Sequence, residues 1–378
     1  MKNIEDLKLR LRHNKKVYVG YPTATDFDYD NCKELISEHF NNIGNPYSKG
    51  SPFSTLGHEK AVINFFLKLY MSNTNDSWGY IASCSSEAIL YGVWNARNYF
   101  KAYDVTLVYS DYAHYCVSKT ANILAIKNKV ITSRNNGEID LGSLESFLKE
   151  NYNKNQAYIF IATIGSTITS SIDNYKEARN IFKKYTDNFY IHLDGAFDGA
   201  FLPLKNDYIL GEDFQSVNIS GHKFLGNPMP SGILLIQKKY ISQNYVEYID
   251  NDDMTIGGSR NGLSAVLLYN RILSLGSKKG LIQRYQECLD KSETFLTILK
   301  NNNIKALKNP QAITIVLEDI DKRIFDKWHM PKYKNQATIT CLPKLNKQML
   351  MELIFDIKNP DKIDFSNAKK FAEDISPL

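Results

Sequence analysis

From about Gly57 to Gln237 the sequence alternates helix-period stretches with short β-branched or apolar runs. This alternation restricts the fold more than any other feature, because strands separated by helices pair in parallel and are covered on both faces. The strand candidates are Thr106-Leu107-Val108-Tyr109, Val130-Ile131-Thr132, Tyr158-Ile159-Phe160-Ile161-Ala162, Tyr190-Ile191-His192-Leu193, Ser216-Val217-Asn218-Ile219 and Ile233-Leu234-Leu235-Ile236. Helices are expected over residues 59–70, 86–99, 115–126, 141–150 and 175–185. The expected fold class is α/β, with a mostly parallel sheet of some six or seven strands flanked by helices.

Past Gly257 the pattern changes to long helices over 263–275 and 281–301, then short strands near Ile313 and Ala337 and a last helix over 347–357. The division expected is an N-terminal segment 1–56, a large domain 57–262, and a linking helix with a small α+β domain over 263–378. With 378 residues, 43% hydrophobic and 23% charged, the chain can bury cores of that size. Its net charge of +5 is scattered, with no basic block to favour nucleic acid or a membrane surface. No apolar run approaches the roughly 18 residues of a membrane span, and the acidic start does not read as a signal peptide. Five dispersed cysteines without C-x-x-C spacing argue against disulfides and zinc, so a cytoplasmic protein without a metal is expected.

In a sheet of this kind the working residues sit where strands end. Three strand ends carry chemistry: Asp194-Gly195-Ala196, Ser220-Gly221-His222-Lys223, and the segment through Ser110 and Asp111 to His114. Alone, Asp194 reads as a turn or cap residue and Lys223 as a solvated lysine. Together, a lysine able to form an imine and a carboxylate able to keep a pyridinium protonated describe pyridoxal 5'-phosphate. Ser85 and Ser86 precede a helix and offer hydroxyl and N–H donors to a phosphate, a role compatible with capping that helix.

These residues resemble the pyridoxal-phosphate-dependent group II amino acid decarboxylases, in particular the short branch of bacterial histidine decarboxylases and plant serine decarboxylases. The similar segments are Gly20-Tyr21-Pro22 with Asp26-Phe27-Asp28-Tyr29, Trp78-Gly79-Tyr80, His114-Tyr115 with Val117-Ser118-Lys119, and Asn136-Gly137-Glu138-Ile139-Asp140. They continue with His192-Leu193-Asp194-Gly195-Ala196, Ser220-Gly221-His222-Lys223-Phe224-Leu225-Gly226-Asn227-Pro228-Met229-Pro230 and Gly258-Ser259-Arg260-Asn261-Gly262. They keep the family's order over roughly residues 17–275. The resemblance implies the fold type I architecture of aspartate aminotransferase-like enzymes, working as a homodimer with sites at the interface.

It implies further that Lys223 carries the cofactor, Asp194 bonds the pyridine nitrogen, and His114 stacks on the ring and touches the substrate carboxylate. Ser85, Ser86, Ser220 and His222 are then the phosphate contacts, Ala196 packs beneath the ring, Thr163 reaches the ring hydroxyl, and Ser259 reaches the phosphate of the partner subunit. The implied reaction is decarboxylation of an L-amino acid to its amine and carbon dioxide, with histidine first and serine as the competitor. Other readings are a lyase or aldehyde-forming enzyme on the same cofactor, and a catalytically silent paralogue acting as a binding subunit. Departures from the family pattern fall at Ser85 in the phosphate loop, at Leu263, and at Gly165-Ser166-Thr167.

Overall fold

The computed structural model describes residues 2–333 and 335–363, which form two compact units. The larger, Phe27–Tyr285, is built on a seven-stranded sheet. Its strands are β1 (Ser77–Ala82), β2 (Asp104–Ser110), β3 (Lys127–Ile131), β4 (Gln156–Thr163), β5 (Phe189–Asp194), β6 (Ser216–Ser220) and β7 (Gly232–Gln237), in the spatial order β1-β7-β6-β5-β4-β2-β3. From β3 to β6 all neighbours are parallel. β7 runs against both β6 and β1. The physical reason is the connection over 221–231, which lacks the helical crossover that a parallel return needs. The mostly parallel α/β architecture is as expected.

β1 is the strand that the sequence pattern did not reveal. Gly79 interrupts its apolar run, and a Cβ there would stand 2.2 Å from the Leu234 carbonyl oxygen across the β1–β7 pairing. Glycine weakens a strand signal where it permits close backbone approach. The central strands are buried along nearly their whole length, and Leu107, Ile159, Ile161, Tyr190, Leu234 and Ile236 belong to one core cluster on the sheet. Helix Ser85–Tyr99 packs into that cluster through Ala88, Ile89, Val93 and Ala96, at the i, i+1, i+5 and i+8 spacing of a helical face.

The division of the chain by contact differs from that of the sequence pattern at residues 56 and 262. Helix Gly262–Ser274 groups with the larger unit, where Leu263 and Leu267 pack with Cys32. The smaller unit comprises the described residues up to Asp26 and from Gln286 onward. Its four-stranded antiparallel sheet has the order Ala306–Leu307, Thr314–Glu318, Gln336–Thr340, Lys332–Tyr333. Val19, Leu299, Ile315, Ile339, Trp328 and Leu350 fill its core. Among the described residues no helix is long and apolar enough to cross a membrane.

A buried ion pair fastens the loop 41–45 and the segment 255–262 to the larger unit. Arg260 meets Glu59 at 3.0 Å, with side chains only 5% and 1% exposed. Glu59 also accepts from the backbone N–H of Ile81 on the sheet's edge strand at 2.8 Å and from Asn42 at 2.8 Å. Arg260 donates to the Gly44 carbonyl at 3.0 Å and lies over the Tyr80 ring. Removing one member of such a pair strands the other charge away from water. Glu59→Ala is therefore expected to lower the unfolding free energy by about 3–5 kcal/mol, measured as an earlier urea midpoint, whereas a shift under about 1 kcal/mol would contradict this account of the anchor.

Candidate active site

Thr163, Asp194 and Ser220 are the last residues of three adjacent strands, β4, β5 and β6, so the sheet itself brings them to one edge. A cavity of about 220 Å³ opens there. Its lining includes nine of the ten residues singled out in the sequence: Ser85, Ser86, His114, Thr163, Asp194, Ala196, Ser220, His222 and Lys223. Ser259 is the exception. It is exposed, accepts from Asn41 at 3.2 Å, and does not line the cavity of its own chain.

The floor of one end is the N-terminus of helix Ser85–Tyr99. The N–H groups of a first helical turn have no acceptors within the helix and attract an anion. Glu87 closes the turn from behind by accepting from the Ser83 N–H at 3.0 Å and from the Tyr80 hydroxyl at 2.9 Å. Ser85 and Ser220 hydroxyls meet at 2.7 Å, which joins the helix start to the end of β6. Gly232 makes this approach possible, since a Cβ on it would stand 2.4 Å from the Cys84 carbonyl and 2.7 Å from the Ser85 nitrogen.

Lys223 lies in the turn that follows β6, and burial draws its ammonium below the usual lysine range, with Asp194 as the chief opposing influence. A lysine so placed releases its proton more readily and becomes a better nucleophile. The Asp194 carboxyl is held by two donors on one oxygen: Asn218 Nδ2 at 3.0 Å and the Ala196 N–H at 3.2 Å, both to Oδ1. Asp198, close by, has both carboxyl oxygens buried without a hydrogen-bond partner, and it packs against Gly165, where a Cβ would stand 2.3 Å from its carboxyl carbon. Burial raises Asp198 well above the carboxylate range, against the opposing pull of Lys223, and so favours its uncharged form.

His114 faces the cavity from the loop after β2. Burial lowers its pKa, so the ring is neutral near pH 7. The Cys116 N–H donates to its Nδ1 at 3.3 Å, and the Cys116 thiol lies 2.9 Å from the same nitrogen. Nδ1 is thus an acceptor, and Nε2 carries the proton. Cys116 was not among the residues singled out from the sequence. Only the fold reveals that the second residue after His114 turns back onto the imidazole. His222 is fixed in a similar way by the Ser231 N–H, which donates to its Nδ1 at 3.2 Å.

Comparison with known proteins identifies the family of the chain. The family model of the pyridoxal-dependent decarboxylase conserved domain matches residues 9–317. The chain is 30% identical over 370 residues to a histidine decarboxylase of Mesorhizobium japonicum, covering 96% of this chain and 98% of that protein. It is 31% identical to the histidine decarboxylase of Vibrio campbellii, covering 94% and 93%. The crystal structure of L-methionine decarboxylase from Streptomyces sp. 590 superposes with a TM-score of 0.85 at 20% identity, over 94% of this chain and 93% of that one, a likeness of fold. The cavity suits a pyridoxal group: Thr163 Oγ1 is buried on its wall without a hydrogen-bond partner, and the start of helix Ser85–Tyr99 lines its other end with donors for a phosphate.

Two outcomes follow from the geometry. Burial, with Asp194 adding to it, pushes the Cys116 thiol up to about 12. At pH 8 it is therefore expected to react with iodoacetamide far more slowly than the less buried Cys84 on the same cavity, by on the order of 100-fold or more, read by peptide mass spectrometry. Equal labelling would refute a buried thiol. Gly232→Ala is expected to push the Ser85 turn away from Ser220 and weaken retention of the phosphorylated cofactor by roughly 10-fold or more in dialysis, since overpacking of this kind costs about 1–3 kcal/mol.

Proposed function

The chain belongs to the pyridoxal-dependent decarboxylase family, and from that membership we propose that it is a histidine decarboxylase, a homodimer in which Lys223, Asp194 and His114 carry the chemistry. It is a pyridoxal-phosphate-dependent carboxy-lyase that converts an amino acid to its amine and carbon dioxide. Histidine is the substrate favoured by near-full-length relatives that bear that activity in their names. The observation that carries the assignment of residues is the convergence of Lys223, Asp194, His114 and the Ser85 turn on one cavity.

When bound, pyridoxal phosphate supplies an electron sink for the pair left behind as carbon dioxide departs. Lys223 is assigned to tether the cofactor, its amine made available by burial. Asp194 is assigned to hold the proton of the ring nitrogen, and Thr163 Oγ1 to meet the ring hydroxyl. Ser85, Ser86, Ser220 and His222 are assigned to the phosphate, with Ser85 and Ser220 already joined at 2.7 Å. Ala196 offers a small side chain against which a ring can lie flat. His114, with Nε2 protonated, is assigned to cover the opposite face and orient the substrate carboxylate. The burial that keeps His114 neutral and favours the uncharged form of Asp198 limits uncompensated charge in this pocket, so the departing carboxylate leaves a poorly solvated site.

Ser259 supports the dimer reading, because it is exposed on its own chain and outside its own cavity. A cytoplasmic setting is supported by five free cysteines, four of them buried.

The purified enzyme is expected to show a visible chromophore that borohydride fixes onto Lys223, to release carbon dioxide from histidine with histamine as product, and to scatter light as about twice 43.3 kDa. Lys223→Ala is expected to abolish the fixed adduct and to lower turnover by roughly 1,000-fold or more. Turnover of serine without turnover of histidine would overturn the substrate, and a monomeric, fully active enzyme would overturn the dimer.

A further inference from the structure

Behind Asp194 runs a line of buried polar side chains that the reaction as described does not use. β5 and β6 pair in parallel with His192 opposite Ser216 and Asp194 opposite Asn218. These four residues lie at alternate positions of their strands, so they share one face, while Leu193 and Val217 point to the other. The contacts form a single chain: Tyr190 hydroxyl to Ser216 Oγ at 2.7 Å, Ser216 Oγ to His192 Nδ1 at 2.6 Å, His192 Nε2 to Asn218 Oδ1 at 2.7 Å, and Asn218 Nδ2 to Asp194 Oδ1 at 3.0 Å.

The chemistry of each group fixes the direction. A carboxylate only accepts, so the Asn218 amide nitrogen faces Asp194 and its oxygen faces His192. That oxygen needs a donor, so His192 is protonated on Nε2. Burial holds the His192 imidazole well below its usual range, so the ring is neutral and its Nδ1 carries a lone pair. The Ser216 hydroxyl fills that lone pair and itself accepts from Tyr190. Every donor in the line points toward Asp194.

We propose that Tyr190, Ser216, His192 and Asn218 form a one-way hydrogen-bond relay that holds Asp194 as an oriented carboxylate for the cofactor's ring nitrogen. They are positioning residues, and the inference rests on the assignment of Asp194 to that nitrogen. The relay and the Ala196 N–H both converge on Oδ1 of a residue that lines the cavity, so Oδ2 is the oxygen assigned to the ring nitrogen. Tyr190, His192, Ser216 and Asn218 are fully buried and Asp194 is 4% exposed, so no water competes for these bonds, and each polarises the next. Gly92 on helix Ser85–Tyr99 makes room for the line: a Cβ there would stand 2.8 Å from His192 Nδ1 and 3.2 Å from Ser216 Oγ.

The test uses holoenzyme reconstituted with pyridoxal phosphate labelled with ¹⁵N in the ring, whose chemical shift in solid-state NMR reports protonation of the pyridine nitrogen. Asn218→Leu and His192→Leu are expected to move the signal toward the unprotonated position and to lower kcat by about 10-fold or more. His192→Gln, which retains an amide donor toward Asn218, is expected to restore most of both. Should the leucine variants fail to fold, Tyr190→Phe removes only the first hydroxyl and is expected to give a smaller shift in the same direction. Wild-type shifts in Asn218→Leu, His192→Leu and Tyr190→Phe, alongside a moved signal in Asp194→Asn, would overturn the relay while leaving the role of Asp194 intact. An unmoved signal in Asp194→Asn would overturn that role, and the relay's purpose with it.

Discussion

The parallel pairing of β5 with β6 is the constraint on which the site depends. It sets Asp194 beside Asn218 and His192 beside Ser216, and it ends both strands at the same edge of the sheet. The turn that leaves β6 then delivers His222 and Lys223 to the cavity that Asp194 faces. A slip of one residue in this ladder would turn His192 and Asp194 to the opposite face and break the line of donors. The heavy burial of the neighbouring apolar residues makes such a slip expensive, so the same packing that stabilises the sheet also positions the chemistry.

Charge in the cavity is controlled by burial as much as by partners. Lys223 and His114 are both drawn below their usual ranges, and Asp198 is raised above its own. Each shift favours the uncharged form. The fold thus offers an amine that gives up its proton more readily and a neutral imidazole, and it directs its donors to Asp194. Such a division of roles suits a reaction in which one cationic ring draws electrons and stray charges would compete with it.

Close approach at a few glycines ties this electrostatic arrangement to the packing. Gly232 brings the helix start to β7, Gly92 admits the imidazole and hydroxyl behind Asp194, and Gly165 lies against the Asp198 carboxyl. At Gly165 the backbone also takes a positive φ of 97°, which a side chain would strain. In each case a single methyl group would push on a residue of the cavity or of its support.

Alternation of apolar runs with helical stretches determined the α/β class, and the residues that follow those runs, Asp194, His114 and Lys223, pointed to the cofactor, because strand ends are where such a sheet must carry its chemistry. Periodicity is a local property, and local properties survive in a one-dimensional string. Pairing between distant segments does not survive there. Hence β1, weakened as a signal by Gly79, and the reversed direction of β7 emerged only in three dimensions. The same holds for Cys116 turning onto His114, and for Asn218 and His192, whose alternation with apolar neighbours was visible while their alignment across two strands was not. Which side chain faces which depends on register and burial, and these are decided when the whole sheet packs.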